Sequence, residues 1–408
     1  MIKKLKVKNF KSLKNFECDF SGLISVFAGP NMSGKSNIAD ALNFISDSLN
    51  IGFQAAVQNR NGYREIKWKG EKSRLADKEN NVDFISFYIE GEIFLQKYKK
   101  KCDFIYLFEL SSDSYGNVSI KKEELNIDGQ DIITGSQQNN FKVKEDLSSA
   151  REFNIPFMNQ LVLQTVNISN GISFYVKSVL SNIWFYMLEP SSMKNTQNPS
   201  SSQQFLLKNG SNLSSWLLTL QTKYPENFAK LTSAIRNILP DISGVFANIT
   251  QTATVYLSSK ENYLGEPINL LNMSDGELKL IALLSLIFAP PELTPPFIVV
   301  EEPENYLHPG ILRDLVELLR GARTDSERQI IKKDTKDESG IHLELSQIFI
   351  TTHSLVLIDN FKIEELIIVK KEHGETTVVY PKDNKDMKEL IENKEIGLGS
   401  LYFSGALK

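Results

Sequence analysis

Apolar and polar positions alternate differently along different stretches of the chain. Near the start, Ile2, Leu5, Val7 and Phe10 are apolar positions in a lysine-rich run, which predicts a strand with one solvated face. Gly22-Leu-Ile-Ser-Val-Phe-Ala28 is a short apolar run and predicts a buried parallel strand. Between Ser36 and Leu49, the residues Ile38, Ala41, Leu42, Ile45 and Leu49 fall at helical spacing. Residues 52–80 are polar and read as loop. Aromatic-rich segments then predict strands at Val82–Ile89, Ile93–Tyr98, Phe104–Leu110 and Val118–Ile120, with Asp113-Ser-Tyr-Gly-Asn117 as a turn between them. They form an expected antiparallel lobe, and the polar residues 134–150 an expected loop.

The second half changes period. Met193–Gln204 is rich in Ser, Asn and Gln and reads as a connection. Asn212 is placed to cap a helix with Leu213, Trp216, Leu217 and Leu220 on one face. A second helix carries Phe228, Leu231, Ile235 and Ile238 and stops at Pro240. Leu278–Ala289 predicts an apolar helix, Pro296–Val300 a buried strand and Ile311–Leu319 a helix. Residues 322–345 are charged and read as an exposed insertion. Gln347–Thr351 and Glu365–Val369 predict further buried strands. Strand–helix alternation at both ends implies an α/β fold with a mostly parallel sheet. Neither an internal repeat nor a long heptad array is present.

Composition narrows the class. Of 408 residues, 41% are hydrophobic and 24% charged, an ordinary balance for a globular protein. The longest apolar stretch, around Leu280–Ala289, is far shorter than the roughly 20 residues of a membrane helix. Met1–Phe10 lacks the apolar core of a signal peptide. A cytoplasmic protein without a membrane segment is expected. The two cysteines, Cys18 and Cys102, form no CxxC pair, and the four histidines are scattered, so no zinc site is indicated. The net charge of −4 excludes a whole-chain basic footprint for nucleic acid. Six lysines within residues 1–14, and the group Lys97, Lys99, Lys100 and Lys101, read either as solvated strand and turn residues or as a DNA-facing patch.

Four short segments carry candidate chemistry. Gly29-Pro30-Asn31-Met32-Ser33-Gly34-Lys35-Ser36 fits GxxxxGK[ST] between a strand and a helix. Backbone amides at a helix N-terminus can cradle phosphates there, with Lys35 reaching the β and γ phosphates and the Ser36 hydroxyl ligating Mg²⁺. The buried strand ending at Glu301-Glu302-Pro303-Glu304 delivers carboxylates: Glu301 for Mg²⁺, and Glu302 to orient and deprotonate an attacking water. Ser274-Asp275-Gly276-Glu277 opens a helix. A capping box explains it, and an ABC signature facing a γ-phosphate is the alternative. Thr351-Thr352-His353-Ser354 ends another buried strand, where His353 is either structural or a γ-phosphate switch. The four run in the order Walker A, signature, Walker B and His-switch.

With these motifs on view, the chain resembles the RecF/SMC/OLD branch of ABC-type ATPases, in particular its bacterial AAA-family members. The resemblance covers most of the length. It rests on the opening Ile2–Leu13 with Asn9-Phe10-Lys11-Ser12, on Gly29–Asn37, on Asp40-Ala41-Leu42 and on Gly210-Ser-Asn212-Leu213. It rests further on the signature, on Glu301–Pro309, on Thr352-His353-Ser354 and on the tail Leu398–Gly405.

The fold so implied is a P-loop NTPase of ABC-ATPase head type with an antiparallel β lobe and a helical insertion. Residues 1–54 and 245–408 would form the two parts of the head, residues 55–133 the β lobe and residues 134–244 the mainly helical insertion. The resemblance also implies an ATP- and Mg²⁺-dependent homodimer. Gly29–Asn37 of one chain and Ser274–Glu277 of the other would enclose each ATP, with Glu302 and His353 catalytic. DNA maintenance or phage defence is the implied setting, with DNA, or a separate effector such as a nuclease or toxin, as partner. The chain ends too soon after His353 for a TOPRIM domain to be expected. A transporter ATPase subunit and an ATP-gated scaffold without turnover are the competing classes. Met32, Glu301 and the Ser-Asp-Gly-Glu signature depart from the commonest ABC residues, and Gln54 and Gln58 are weak candidates for a Q-loop.

Overall fold

The computed structural model describes residues 1–20, 22–70, 84–95, 98–136, 139–144, 147, 152–155, 159–165, 171–332, 346–384, 397 and 399. The chain forms two compact units. The first comprises Met1–Ile183, Gly340–Gln347 and Glu364–Asn384, and the second Trp184–Ser339, Ile348–Ile363 and Lys385–Lys408. Lys97, residues 333–345 and almost all of the tail Leu398–Gly405 lie outside the described residues.

The first unit is built on an antiparallel sheet. Its strands are β1 (Ile2–Phe10), β2 (Leu13–Asp19), β4 (Phe84–Leu95), β5 (Lys100–Ser112), β6 (Val118–Ile127), β7 (Gln130–Ser136), β8 (Asn139–Lys144) and β9 (Glu152–Ile155). Their order is β2-β1-β4-β5-β6-β7-β8-β9. In β5, Cys102, Phe104, Tyr106, Phe108 and Leu110 are buried at every second position, the pattern of a strand with one core face. Where two strands were expected at 82–98, β4 runs on through Gly91. A Cβ there would lie 2.6 Å from the Met1 carbonyl, and β1 shifts register opposite it, so a glycine lets the ladder pass.

A parallel element stands beside this sheet in sequence. Strand β3 (Ile24–Ala28) is wholly buried and pairs in parallel with the strand Leu366–Glu372, which turns back through Glu375–Val379. Residues 29–34 lead from β3 into helix α1 (Lys35–Asp47). Phe44 of α1 stacks on Phe87 at 5.0 Å and meets Phe10 at 5.6 Å, which fastens the helix to β1 and β4.

Residues 52–80 are not simply loop. Helices α2 (Phe53–Gln58) and α3 (Tyr63–Ile66) bury Phe53, Ala56, Val57, Tyr63 and Ile66, each helix entered through a glycine at positive φ. Likewise β8 occupies part of the stretch read as loop at 134–150, pairing with β7 through buried Phe141 and Val143.

In the second unit the buried strand Phe297–Glu301 lies beside residues 348–352, with Phe297 and Phe349 rings stacked 6.5 Å apart. Helices Leu213–Lys223 and Asp275–Ile287 are tied by a buried bond from Trp216 Nε1 to Ser285 Oγ, 3.0 Å. Asn212 occupies the N-cap position without capping. Its side chain holds the preceding loop instead, accepting from Leu207 N and donating to Phe205 O. The helix expected at 311–319 runs from Pro309 to Lys332. Apolar spacing ends near Leu319, but the residues beyond it include good helix formers, so the helix outlasts its apolar stripe.

Candidate functional site

The glycine-rich loop has the backbone its sequence requires. Gly34 has φ 108°, in the left-handed region, and any Cβ at Gly29 would stand 2.5 Å from the Val369 carbonyl. Helix α1 begins without a side-chain cap and without an acidic residue in its first turn. Its leading amides and positive dipole end are suited to an anion. Lys35 is buried, and its Nζ donates to Gly29 O and Pro30 O at 2.8 and 3.0 Å, inside the loop that it would serve. Pro30, Asn31 and Ser36 are exposed, and Met32, at φ 66°, is 85% exposed, so its bulk leaves the loop interior clear. The Asn37 amide is turned towards Ser12, donating to its Oγ at 2.6 Å.

In the second unit three acidic and basic groups converge at the ends of two neighbouring strands. Glu302 follows Phe297–Glu301 with φ 44°, a conformation that costs a non-glycine residue of order 1–3 kcal/mol. Its amide donates to Thr351 O at 3.0 Å, and its carboxylate accepts from Asn305 Nδ2 at 2.8 Å. His353 Nδ1 lies 3.3 Å from Glu302 Oε1. Behind them Glu304 is buried and accepts from the Thr352 hydroxyl at 2.5 Å and from His353 N at 3.3 Å. Thr352 Oγ1 in turn accepts from Ser354 N, so Glu304 fixes the whole turn that carries His353. Glu301 is half-buried at the strand end. Buried Lys279 donates to Leu188 O at 2.9 Å. Burial pushes its ammonium down to about 8, against the attraction of Glu304, Glu302 and Glu189.

The helix Asp275–Ile287 opens with a serine cap. Ser274 Oγ accepts from Glu277 N at 3.1 Å, as expected. Burial raises the Glu277 carboxyl, against the opposing pull of Ser259 and of the Ser274 backbone. Ser274 and Asp275 are exposed, with Asp275 paired to Lys194 at 2.9 Å. Gly276 leaves no room for a side chain: a Cβ would lie 2.7 Å from Tyr306 O, so this turn packs directly on the loop after Glu302.

Gly29–Asn37 thus belong to the first unit, and Ser274–Glu277, Glu301, Glu302 and His353 to the second. Within the second unit Glu302 and His353 are brought together. Glu304, Asn305 and Lys279 were not assigned roles from sequence. Only the burial of a third carboxylate beside the strand end, invisible in the letters, marks Glu304 out.

The family described as "AAA domain, putative AbiEii toxin, Type IV TA system" matches residues 24–359. The chain belongs to this family. No curated protein matches it. Among solved structures, the SMC head bound to the C-winged helix domain of ScpA is 14% identical, with 93% of this chain and 96% of that one covered and a TM-score of 0.55. An SMC head with an extended coiled coil, bound to the C-terminal domain of ScpA derived from Pyrococcus furiosus, is 13% identical over 96% of this chain and 99% of that one, TM-score 0.51. At these identities the likeness is one of fold. This member of the AAA family therefore has a mixed α/β fold of SMC-head type, with an antiparallel sheet. Among its described residues, no helix is long and apolar enough to cross a membrane.

Proposed function

We propose that this AAA-family chain binds ATP with Mg²⁺ and hydrolyses it as a dimer of ABC type. The observation that carries the proposal is the convergence of Glu302 and His353, 3.3 Å apart, on a turn held by buried Glu304. A strained carboxylate next to an imidazole at a strand end suits positioning an attacking water.

The other residues take their parts from chemistry. The loop of Gly29, Pro30, Asn31, Met32, Ser33 and Gly34, with Asn37 on the next turn, surrounds the phosphates, and since Pro30 has no N–H the donors come from its neighbours. Lys35 exchanges its two loop carbonyls for the β and γ phosphates. The Ser36 hydroxyl and Glu301 carboxylate are hard oxygen donors that fit Mg²⁺, which would neutralise phosphate charge. His353 senses the γ-phosphate. Ser274, Asp275, Gly276 and Glu277 of a second chain close each site, the serine hydroxyl proton still being available after capping. Loss of the γ-phosphate then favours the open pair.

For the biological setting, the family description names a toxin of a toxin–antitoxin system, which supports a role beside a separate effector or partner protein in defence. Direct DNA contact has less support. Lys3, Lys4, Lys6, Lys11 and Lys14 each face a carboxylate, among them Asp103, Glu17, Asp40 and Glu375. Lys100 and Lys101 pair with Asp128 and Glu92. The reading as solvated strand residues fits these pairings better.

Steady-state ATP hydrolysis by the full chain, with and without linear double-stranded DNA at low salt, tests the proposal. Magnesium-dependent turnover that Lys35→Ala abolishes, together with ATP binding, is expected. Equal rates for Lys35→Ala and the parent chain would refute it. Indifference to DNA would direct the search to a protein partner, and strong stimulation would restore the lysine patch.

A further inference from the structure

Beneath the phosphate loop lies a chain of hydrogen bonds, through two buried hydroxyls, drawn from three distant parts of the sequence. The turn Lys11-Ser12 joins β1 to β2, and Lys11 takes φ 50° there. Ser12 is thereby presented to Thr376 on the strand Glu375–Val379, with the two Oγ atoms 2.6 Å apart and both residues buried. Thr376 Oγ1 donates to Ser33 O at 3.0 Å, and Asn37 Nδ2 donates to Ser12 Oγ at 2.6 Å. A hydroxyl has one proton. Since that of Thr376 goes to Ser33 O, Ser12 must donate to Thr376. The bonds therefore run one way, from Asn37 through Ser12 and Thr376 to the Ser33 carbonyl. Thr376 N also donates to Ser12 O at 2.8 Å, which locks the two segments together.

The bracket closes around Gly34. A Cβ at Gly34 would fall 2.0 Å from Thr376 Oγ1, so glycine is required by this contact as well as by φ. A trans peptide is planar, with its C=O and the following N–H pointing in opposite directions. Holding the Ser33 carbonyl on the Thr376 side turns the Gly34 N–H to the other side, away from the bracket.

We propose that Thr376 and Ser12 are positioning residues for phosphate binding, which fix the Ser33–Gly34 peptide so that the Gly34 amide already faces the ligand in the nucleotide-free chain. This rests on the ATP reading of Gly29–Ser36 and deepens it. The strand Glu375–Val379 becomes part of the phosphate site although none of its residues touches the nucleotide. An amide aimed beforehand spares the ordering cost at binding.

Thr376→Val removes the hydroxyl at nearly constant shape, and Thr376→Ser keeps it. Two readouts are taken on the full chain: amide hydrogen exchange of the segment Gly29–Ile38 without nucleotide, and affinity for a fluorescent ATP analogue with magnesium. The amides of Ser33, Asn37 and Ile38 are hydrogen-bonded and report on the loop. Thr376→Val is expected to speed their exchange and weaken affinity by about tenfold each, the scale of one buried hydrogen bond, while Thr376→Ser stays within about twofold. Unchanged exchange in Thr376→Val overturns the proposal whether or not the chain binds ATP. So does equal damage from Thr376→Ser, or exchange that rises uniformly along the chain. A parent chain that binds no nucleotide refutes the ATP reading alone, and exchange still decides the bracket.

Discussion

Glu302 and Glu123 are carboxylates in costly settings, and the two settings differ in kind. Glu302 carries backbone strain at φ 44° but keeps its side chain partly in water, with Asn305 and His353 beside it. That arrangement suits the water-positioning role proposed for it. Glu123 on β6 is wholly buried at a core position of the sheet. It accepts from Tyr106 Oη at 2.9 Å, Val162 N at 2.6 Å and Leu163 N at 2.9 Å, so it anchors the segment Val162–Thr165. Burial pushes its carboxyl from 4.5 up to about 7. The folded chain then holds this proton more tightly than the unfolded chain. Its contribution to stability is full below the unfolded value and is lost as pH rises through about 7. Glu123→Gln, which cannot ionise, is expected to remove a fall on the order of 3 kcal/mol between acid and neutral pH. Denaturant titrations at several pH values check this, and parallel pH profiles for the two chains would contradict it.

Among the elements, α1 joins the proposed phosphate loop to the core. Its first residue is Lys35, and one face carries Phe44 into the cluster with Phe10 and Phe87. Asp40 and Asp47 on the same helix are bridged by Arg60, whose guanidinium also covers the Phe44 ring. Phe44→Ala is expected to cost about 3–5 kcal/mol by urea unfolding, the range for a buried phenylalanine. A loss below about 1 kcal/mol would mean that the helix is held otherwise. Much of this was legible. Gly29–Ser36 reads as a tight glycine turn between a strand and a helix because its residue types answer to local backbone demands, and β5 reads as a strand because its alternation is long. Elements α2, α3 and β8 were missed because one turn of helix, or the single pair Phe141 and Val143, is too short to set a period. Thr376 carried no signal at all, and Glu304 stood in the Glu301–Glu304 run without a role of its own. Their importance comes from long-range contacts, to Ser12 and Thr352, that no local pattern encodes.

For the whole molecule, one chain supplies one phosphate loop and one Ser-Asp-Gly-Glu turn. In the proposed sandwich neither is complete without a second copy. Exposed Ser274 and Asp275, together with Gly276 packed on the loop that follows Glu302, make that turn a surface joined directly to the strand end proposed as catalytic. Dimer closure and water activation are therefore expected to be coupled. The most direct test follows Glu302→Gln, measuring phosphate release and ATP-dependent sedimentation on the same sample, with Ser274→Arg as a second substitution. The account expects Glu302→Gln to bind ATP, to lose turnover by about a hundredfold or more, and to accumulate as a dimer that Ser274→Arg dissolves. Turnover equal to that of the parent chain, or an ATP-dependent dimer indifferent to Ser274→Arg, would contradict it.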